Sequence, residues 1–228
     1  HKPVIAGEKY RNSYDSLSVG QQHYYGVLTA LDEQIGRLRA KLRALGIEEN
    51  TILFYTSDNG PEGDSVFGRQ QGITKGLKGR KRSLYEGGIR VPGIVEWPGK
   101  ISAKTRVSAP AFTSDYFPTI AYLTGVDITK YNRPFDGENM MPYLTGSITN
   151  KVKPMAFEFE KQAALIMGEY KIYRTNEDSP FELYNLEKDP GETINLANKK
   201  TKRFNSMVSI WNEWKLSQNN SAQGKDYK

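Results

Sequence analysis

Three features of the sequence predict an α/β fold that gives way to a small C-terminal α+β subdomain. A long stretch with helical periodicity at residues 18–45 is followed closely by a nearly continuous apolar run at 51–56. That run ends in Ser57-Asp58-Asn59-Gly60-Pro61, two oxygen-bearing side chains followed by turn residues. Past about residue 150, short apolar segments alternate with turn signals and close on one more amphipathic stretch.

The elements follow in order. Residues 1–17 are polar, carry Pro3 and Gly7, and read as loop. Over 18–45, Tyr24, Val27, Leu28, Leu31, Ile35, Leu38, Leu42 and Leu45 recur at spacings of three and four, one face of a helix. Ser18 is placed as its N-cap, and Gly46 where a left-handed C-terminal residue belongs. Thr51-Ile52-Leu53-Phe54-Tyr55-Thr56 reads as a strand buried on both faces, as in a parallel sheet. Residues 60–88 are rich in Gly and basic side chains and read as a long functional loop. A second core strand is expected over 89–97, bent at Pro92-Gly93, and a helix over 114–123 stopped by Gly125. Asp136-Gly137 marks a turn. Residues 154–159 and 164–173 read as antiparallel strands, and 181–186 as another, followed by the turn Asp189-Pro190-Gly191. The last helix is expected over 201–216, with Phe204, Met207, Val208, Trp211 and Trp214 inward and a frayed tail after it. The expected division is a catalytic α/β part at 1–149 and the C-terminal subdomain at 150–228.

Composition narrows the function. The 228 residues are 37% hydrophobic and 25% charged, ordinary for a globular protein. With no cysteine, disulfides, thiolate metal sites and a cysteine nucleophile within this chain are excluded. The net charge of +6 fits either a solvated lysine-rich surface or attraction to polyanions such as sulfated glycans or nucleic acid. No nucleic-acid-binding motif is present, and no apolar run is long enough to span a membrane. A first residue of His rather than Met suggests that the natural N-terminus, and any export signal with it, lies outside this sequence.

Asp58 and Asn59 lead the candidate residues. Neighbours on a strand point to opposite faces, so these two converge only where the strand has ended, as Gly60-Pro61 implies. A carboxylate and an amide carbonyl are hard oxygen ligands, suited to Ca²⁺ or Mg²⁺. Taken alone, Asp-Asn-Gly also suits an ordinary turn. Lys81 precedes Tyr85-Glu86-Gly87-Gly88, and its ammonium suits sulfate or phosphate oxygens. The glycine pair permits close backbone approach or positive φ. Glu86 or Arg90 is placed to support this loop by ion pairing. Of the two histidines, His23 lies within the helix and reads as structural, and His1 stands in His1-Lys2-Pro3.

In combination and order these pieces resemble the sulfatases of the alkaline-phosphatase-like superfamily, of the arylsulfatase type. The resemblance runs through His1-x-Pro3, Leu31-Asp32, Ile35-Gly36, Thr56-Ser57-Asp58-Asn59-Gly60 and Gly79-x-Lys81-x-x-x-Tyr85-Glu86-Gly87-Gly88-Ile89-Arg90-Val91-Pro92. It continues through Asp115-x-x-Pro118-Thr119, Asp136-Gly137, Leu183-Tyr184-Asn185-Leu186 and Asp189-Pro190-x-Glu192-x-x-Asn195-Leu196. It implies part of an alkaline-phosphatase-like sandwich and the hydrolysis of a sulfate ester, of a small molecule or a glycan. It implies that Asp58 and Asn59 ligate Ca²⁺ (Mg²⁺ less well), that Lys81 contacts sulfate, and that His1 is the other sulfate contact and acid near the leaving oxygen. The family's formylglycine nucleophile, made from Cys or Ser in a Cys/Ser-x-Pro/Ala-x-Arg motif, belongs to the N-terminal half, and no such motif occurs here. The chain is therefore expected to be the C-terminal portion, partnered by that half, without turnover alone, and periplasmic or secreted. A phosphoester or phosphonate hydrolase on the same scaffold and a non-catalytic anion- or glycan-binding relic are the alternatives.

Overall fold

The computed structural model describes residues 4–62, 72–131 and 133–226. The chain divides into two compact units. The first comprises His1–Lys75, Gly79–Arg82 and Gly87–Ala103; the second comprises Gly76–Lys78, Ser83–Glu86 and Lys104–Lys228. The boundary expected at 149/150 falls inside the second unit.

In the first unit, the helical turn α1 (Glu8–Arg11) precedes the long helix α2 (Val19–Ala44). Ser18 and Gln21 form a capping box, each side chain accepting the other's backbone N–H. Gly46, at φ 67°, follows the last turn, where Lys41 and Arg43 complement the helix dipole. One side of α2 is covered by the preceding segment. A side chain at Gly26 would put its Cβ 2.8 Å from the Cβ of Ala6, and Tyr14 bonds to Thr29 at 2.7 Å. The expected apolar stripe fares differently, because Val27, Leu28, Leu31, Leu38 and Leu45 are exposed. The periodicity located the helix correctly, but among the described residues that face is covered only in part, at Tyr24, Ile35 and Leu42.

Strand β1 (Leu53–Thr56) pairs with β2 (Gly93–Glu96) in antiparallel register, Leu53 opposite Glu96 and Thr56 opposite Gly93. The apolar run suggested a strand in a parallel sheet; among the described residues it has one antiparallel neighbour and is half-buried. The expected strand at 89–97 is shorter, since Glu86–Ile89 winds into a helical turn, α3, and extended pairing starts only at Gly93. Most of the expected loop at 60–88 is irregular; its residues 63–71 lie outside the described residues.

The second unit holds α4 (Tyr116–Thr124), the turn α5 (Met141–Leu144), strands β3 (Met155–Phe159), β4 (Gln162–Met167), β5 (Tyr170–Arg174) and β6 (Glu182–Asn185), and helix α6 (Thr201–Ala222). Gly125 ends α4 in the left-handed conformation, φ 73°. Asp115, fully buried ahead of α4, accepts the N–H of Phe112 and of Glu138 and pairs with the Lys151 ammonium at 2.7 Å. The four strands form one antiparallel sheet in chain order. The single strand expected at 164–173 is in fact a hairpin. Met167 pairs with Tyr170, and Gly168 takes φ 59° in the two-residue loop between them. Helix α6 runs to Ala222, six residues beyond the expected end, so much of the tail expected to fray is helical.

Alternation gives the sheet two distinct faces. Ala163, Leu165, Tyr170, Ile172 and Leu183 pack with Met207 and Trp211 of α6 and with Phe181. The side chains between them, Lys171, Tyr173, Glu182 and Tyr184, belong to the opposite face.

After β6, Asp189 closes the next turn by accepting the N–H of Thr193 and of Ile194, each at 2.8 Å, and the Thr193 hydroxyl at 2.9 Å. Burial works to raise its pKa, but the hydrogen bonds from Ile194 and Thr193 outweigh it and hold the carboxyl below its ordinary value. A lowered folded pKa contributes stability above the unfolded pKa, and that contribution is lost as pH falls through the folded value. Asp189→Asn should therefore destabilise the C-terminal sheet at pH 7 by on the order of 1 kcal/mol, read by urea unfolding of tryptophan fluorescence. The difference from wild type should close below about pH 4.

Candidate functional site

Strand β1 delivers Asp58 and Asn59 to a tight turn. The Ser57 hydroxyl donates to the Asn59 carbonyl at 2.9 Å, and the Asn59 N–H donates to Asp58 Oδ1 at 3.0 Å. The Asn59 side-chain amide donates to the Gly60 carbonyl at 2.8 Å, which fixes the amide and leaves Oδ1 as its acceptor atom. Asp58 is exposed. A carboxylate and an oriented amide oxygen suit a hard cation, so these residues fit Ca²⁺ or Mg²⁺ as a partial ligand set. Calcium takes about six to eight oxygens, and the described residues contain no cluster of three or more acidic or histidine side chains able to complete the shell.

Gly60 fixes this turn in place. Its N–H donates to the Gly88 carbonyl at 2.8 Å. A Cβ at position 60 would lie 1.9 Å from the Gly87 carbonyl oxygen and 3.1 Å from Gly88 Cα. The close backbone approach is therefore made at Gly60, against the carbonyl of Gly87. Lys81 joins the same local structure, its N–H donating to the Pro61 carbonyl at 3.0 Å and its ammonium standing 4.0 Å from Glu62. Arg80 and Arg82 flank it. Arg80 donates to the Glu62 carbonyl at 3.0 Å and to the Gly72 carbonyl, and Arg82 pairs with the Glu62 carboxylate. Of the expected site residues, Asp58 and Asn59 share one turn, and Lys81 is bonded through its N–H to Pro61, which follows that turn directly. The fourth, His1, lies outside the described residues, as does Arg69 of the long loop. His23 accepts the Ala6 N–H at 3.1 Å, a structural contact.

In the second unit, Leu84, Tyr85 and Glu86 lie on the sheet face opposite α6. The Tyr85 ring packs 3.8 Å from Tyr173 and edge-on to Tyr184 at 6.4 Å. Tyr85 and Tyr184 both donate to Glu182, at 3.1 and 2.8 Å. Gln162 accepts from the Leu84 N–H and the Tyr173 hydroxyl, both at 3.1 Å. Lys78 sits 4.0 Å from the Tyr85 ring centre. Burial is the main cause that pushes these phenols up, helped by the Glu182 charge; Tyr173 rises to about 12 and the other two also rise. They stay protonated at neutral pH and act as donors and packing surfaces.

Comparison with known proteins fits this geometry. The Sulfatase family model matches residues 5–126, more than half of the chain. The chain belongs to the sulfatase family. A second model, N-sulphoglucosamine sulphohydrolase C-terminal, matches residues 79–217. Rat (Rattus norvegicus) steryl-sulfatase is 34% identical over 69% of the chain and 26% of its own length, and human arylsulfatase A 28% identical over 86% and 42%. The crystal structure of Ps i-CgsB in complex with k-i-k-neocarrahexaose superposes with a TM-score of 0.83 at 27% identity, covering 95% of this chain and 48% of that one. The chain spans between a quarter and about half the length of these relatives.

Sequence reasoning missed Lys171 and gave no role to Glu192, which it met only as part of the Asp189-Pro190-x-Glu192 match. Lys171 and Glu192, both fully buried, meet Glu86. The available signal was a lysine inside the otherwise apolar and aromatic Tyr170-Lys171-Ile172-Tyr173, where any strand reading buries it. For the Asp58-Asn59 turn, the decisive contact is Gly60 on Gly87. Gly60→Ala should displace that turn and cost about 3 kcal/mol of stability in thermal unfolding, because backbone on both sides leaves no room for a methyl. Gly7→Ala, with no atom within 4 Å of its Cβ position, is the matched control and should change stability little.

Proposed function

We propose that this chain is the C-terminal portion of a calcium-dependent, formylglycine-dependent sulfatase that hydrolyses the sulfate ester of a carbohydrate, R–O–SO₃⁻ plus water giving the alcohol and sulfate. The observation that carries this reading is the Lys81 N–H bond to the carbonyl of Pro61, just beyond the Asp58-Asn59 turn that ends β1. Those two side chains would hold the cation, which when bound supplies positive charge to the sulfate oxygens. Lys81 would bind a sulfate oxygen and oppose the negative charge that grows on the sulfuryl group and leaving oxygen in the transition state. Its ammonium stands 4.0 Å from Glu62, too far for a hydrogen bond, so the pairing does not fully neutralise it. His1 would be the second sulfate contact and the acid at the leaving oxygen.

The nucleophile and the remaining cation ligands would come from the N-terminal half of the same enzyme. The exposed apolar stripe on α2 and the two-stranded pairing of β1 supports a further part of the fold packing there. A polysaccharide substrate is supported by the likeness to Ps i-CgsB, solved with a carrahexaose, and by the net charge of +6. The expected division into a catalytic part at 1–149 and a subdomain at 150–228, and a periplasmic or secreted location, belong to the same proposal. No helix among the described residues is long and apolar enough to cross a membrane.

In the complete enzyme, Lys81→Ala should lower kcat for sulfate release by about 10² to 10³, the scale of one lost transition-state charge contact. An unchanged kcat would contradict the role given to Lys81. Chelation with EGTA should abolish sulfate release, and added Ca²⁺ should restore it more fully than Mg²⁺. Phosphate-ester turnover exceeding sulfate-ester turnover would favour a phosphoester or phosphonate hydrolase instead. Absence of the nucleophile motif from the complete sequence would favour a non-catalytic anion- or glycan-binding protein.

A further inference from the structure

Lys171 lies in β5, is 0% exposed, and reaches two carboxylates. Its ammonium is 2.9 Å from Glu86 Oε1 and 2.9 Å from Glu192 Oε1. The other oxygen of Glu192 accepts the Glu86 N–H at 2.7 Å. Glu86 is thus held twice, by its side chain and by its backbone.

This cluster is costly to build. Desolvating each ion costs several kcal/mol, and apolar residues of similar volume would stabilise a core as well or better. Glu192 also adopts φ 54°, a left-handed conformation that is unfavourable for a non-glycine residue. The strained backbone and the buried charges converge on one residue, Glu86, which lies outside the sheet. Glu86 opens α3 and is followed directly by Gly87 and Gly88.

We propose that Lys171 and Glu192 are positioning residues for the signature segment, fixing Glu86 so that residues 83–88 keep one conformation through turnover. The role in turnover rests on the sulfatase reading above; the anchoring itself does not. A merely structural cluster would be replaceable by packing, whereas a positioning cluster would not.

The test is made on the complete enzyme with three variants. Lys171→Met alone strands two buried carboxylates and should lose both stability and activity. The triple variant Lys171→Met, Glu86→Met, Glu192→Gln removes all the charge while keeping volume and an acceptor for the N–H of position 86. It should recover most of the thermal stability, yet keep kcat about ten- to a hundredfold low with KM nearly unchanged. Hydrogen exchange at residues 83–88 should stay faster than in wild type while β4 to β6 keep their protection. Recovery of wild-type kcat and of protection at 83–88 would overturn the proposal. If the triple variant does not fold, Glu192→Gln decides. Faster exchange confined to 83–88 supports anchoring, and unchanged or uniformly altered exchange overturns it. If wild-type enzyme releases no sulfate, the functional reading fails and exchange alone judges the anchoring. If wild type is a sulfatase but exchange at 83–88 does not respond, the anchoring alone fails.

Discussion

One buried ammonium sets the terms for the C-terminal unit. Lys171 stands between the carboxylates of Glu86 and Glu192 with no access to water, on the sheet face that α6 leaves free. An ion in that position is tolerated only where the geometry is good and every polar atom around it is engaged, because the dry interior repays desolvation through close pairing alone. The aromatic part of that face meets the condition, whereas Glu192 Oε1 faces the ammonium at 2.9 Å without a hydrogen bond. Tyr85 lies against Tyr173 and Tyr184, Glu182 takes both free phenol protons, and Gln162 bridges Leu84 to Tyr173. The four-stranded sheet is therefore a platform with two distinct duties. One face makes an ordinary apolar core with Met207 and Trp211, and the other is polar and aromatic and receives a segment from far earlier in the chain.

The first unit solves a related problem with backbone alone. Gly60 approaches the Gly87–Gly88 peptide too closely for any side chain and is locked there by one N–H to carbonyl bond. The turn that ends β1 consequently has little freedom, and the Asn59 amide is fixed by its own bond to the Gly60 carbonyl. If Asp58 and Asn59 hold a cation as proposed, a pair fixed in advance would lose less conformational entropy on binding than a mobile pair. The same segment that supplies the two glycines also supplies Lys81, tied to Pro61.

Local signals were legible in the sequence wherever a single residue type carries the information. Ser18 announced the start of α2, Gly125 the end of α4, and the spacing of Phe204, Met207 and Trp211 the inner face of α6. The hairpin at Gly168 was not legible, because apolar residues continue on both sides of a two-residue loop and mimic one long strand. The apolar stripe of α2 was legible as a helix face but not as an exposed one, since periodicity records what a face requires and not what covers it. For the site, Asp58, Asn59 and Lys81 stood out through their order along the chain. Lys171 did not, nor did the role of Glu192, because the buried ion pairs of Lys171 with Glu192 and with Glu86 join three distant segments that no local pattern encodes.

The central claim is that Asp58, Asn59 and Lys81 form one face of a cation and sulfate site. It is tested most directly by an experimental structure of the complete enzyme with calcium and inorganic sulfate, with anomalous scattering used to place the cation. The account expects a calcium peak about 2.3–2.6 Å from side-chain oxygens of both Asp58 and Asn59, with the Lys81 ammonium on a sulfate oxygen. A cation bound elsewhere, or a sulfate that Lys81 does not touch, would contradict it.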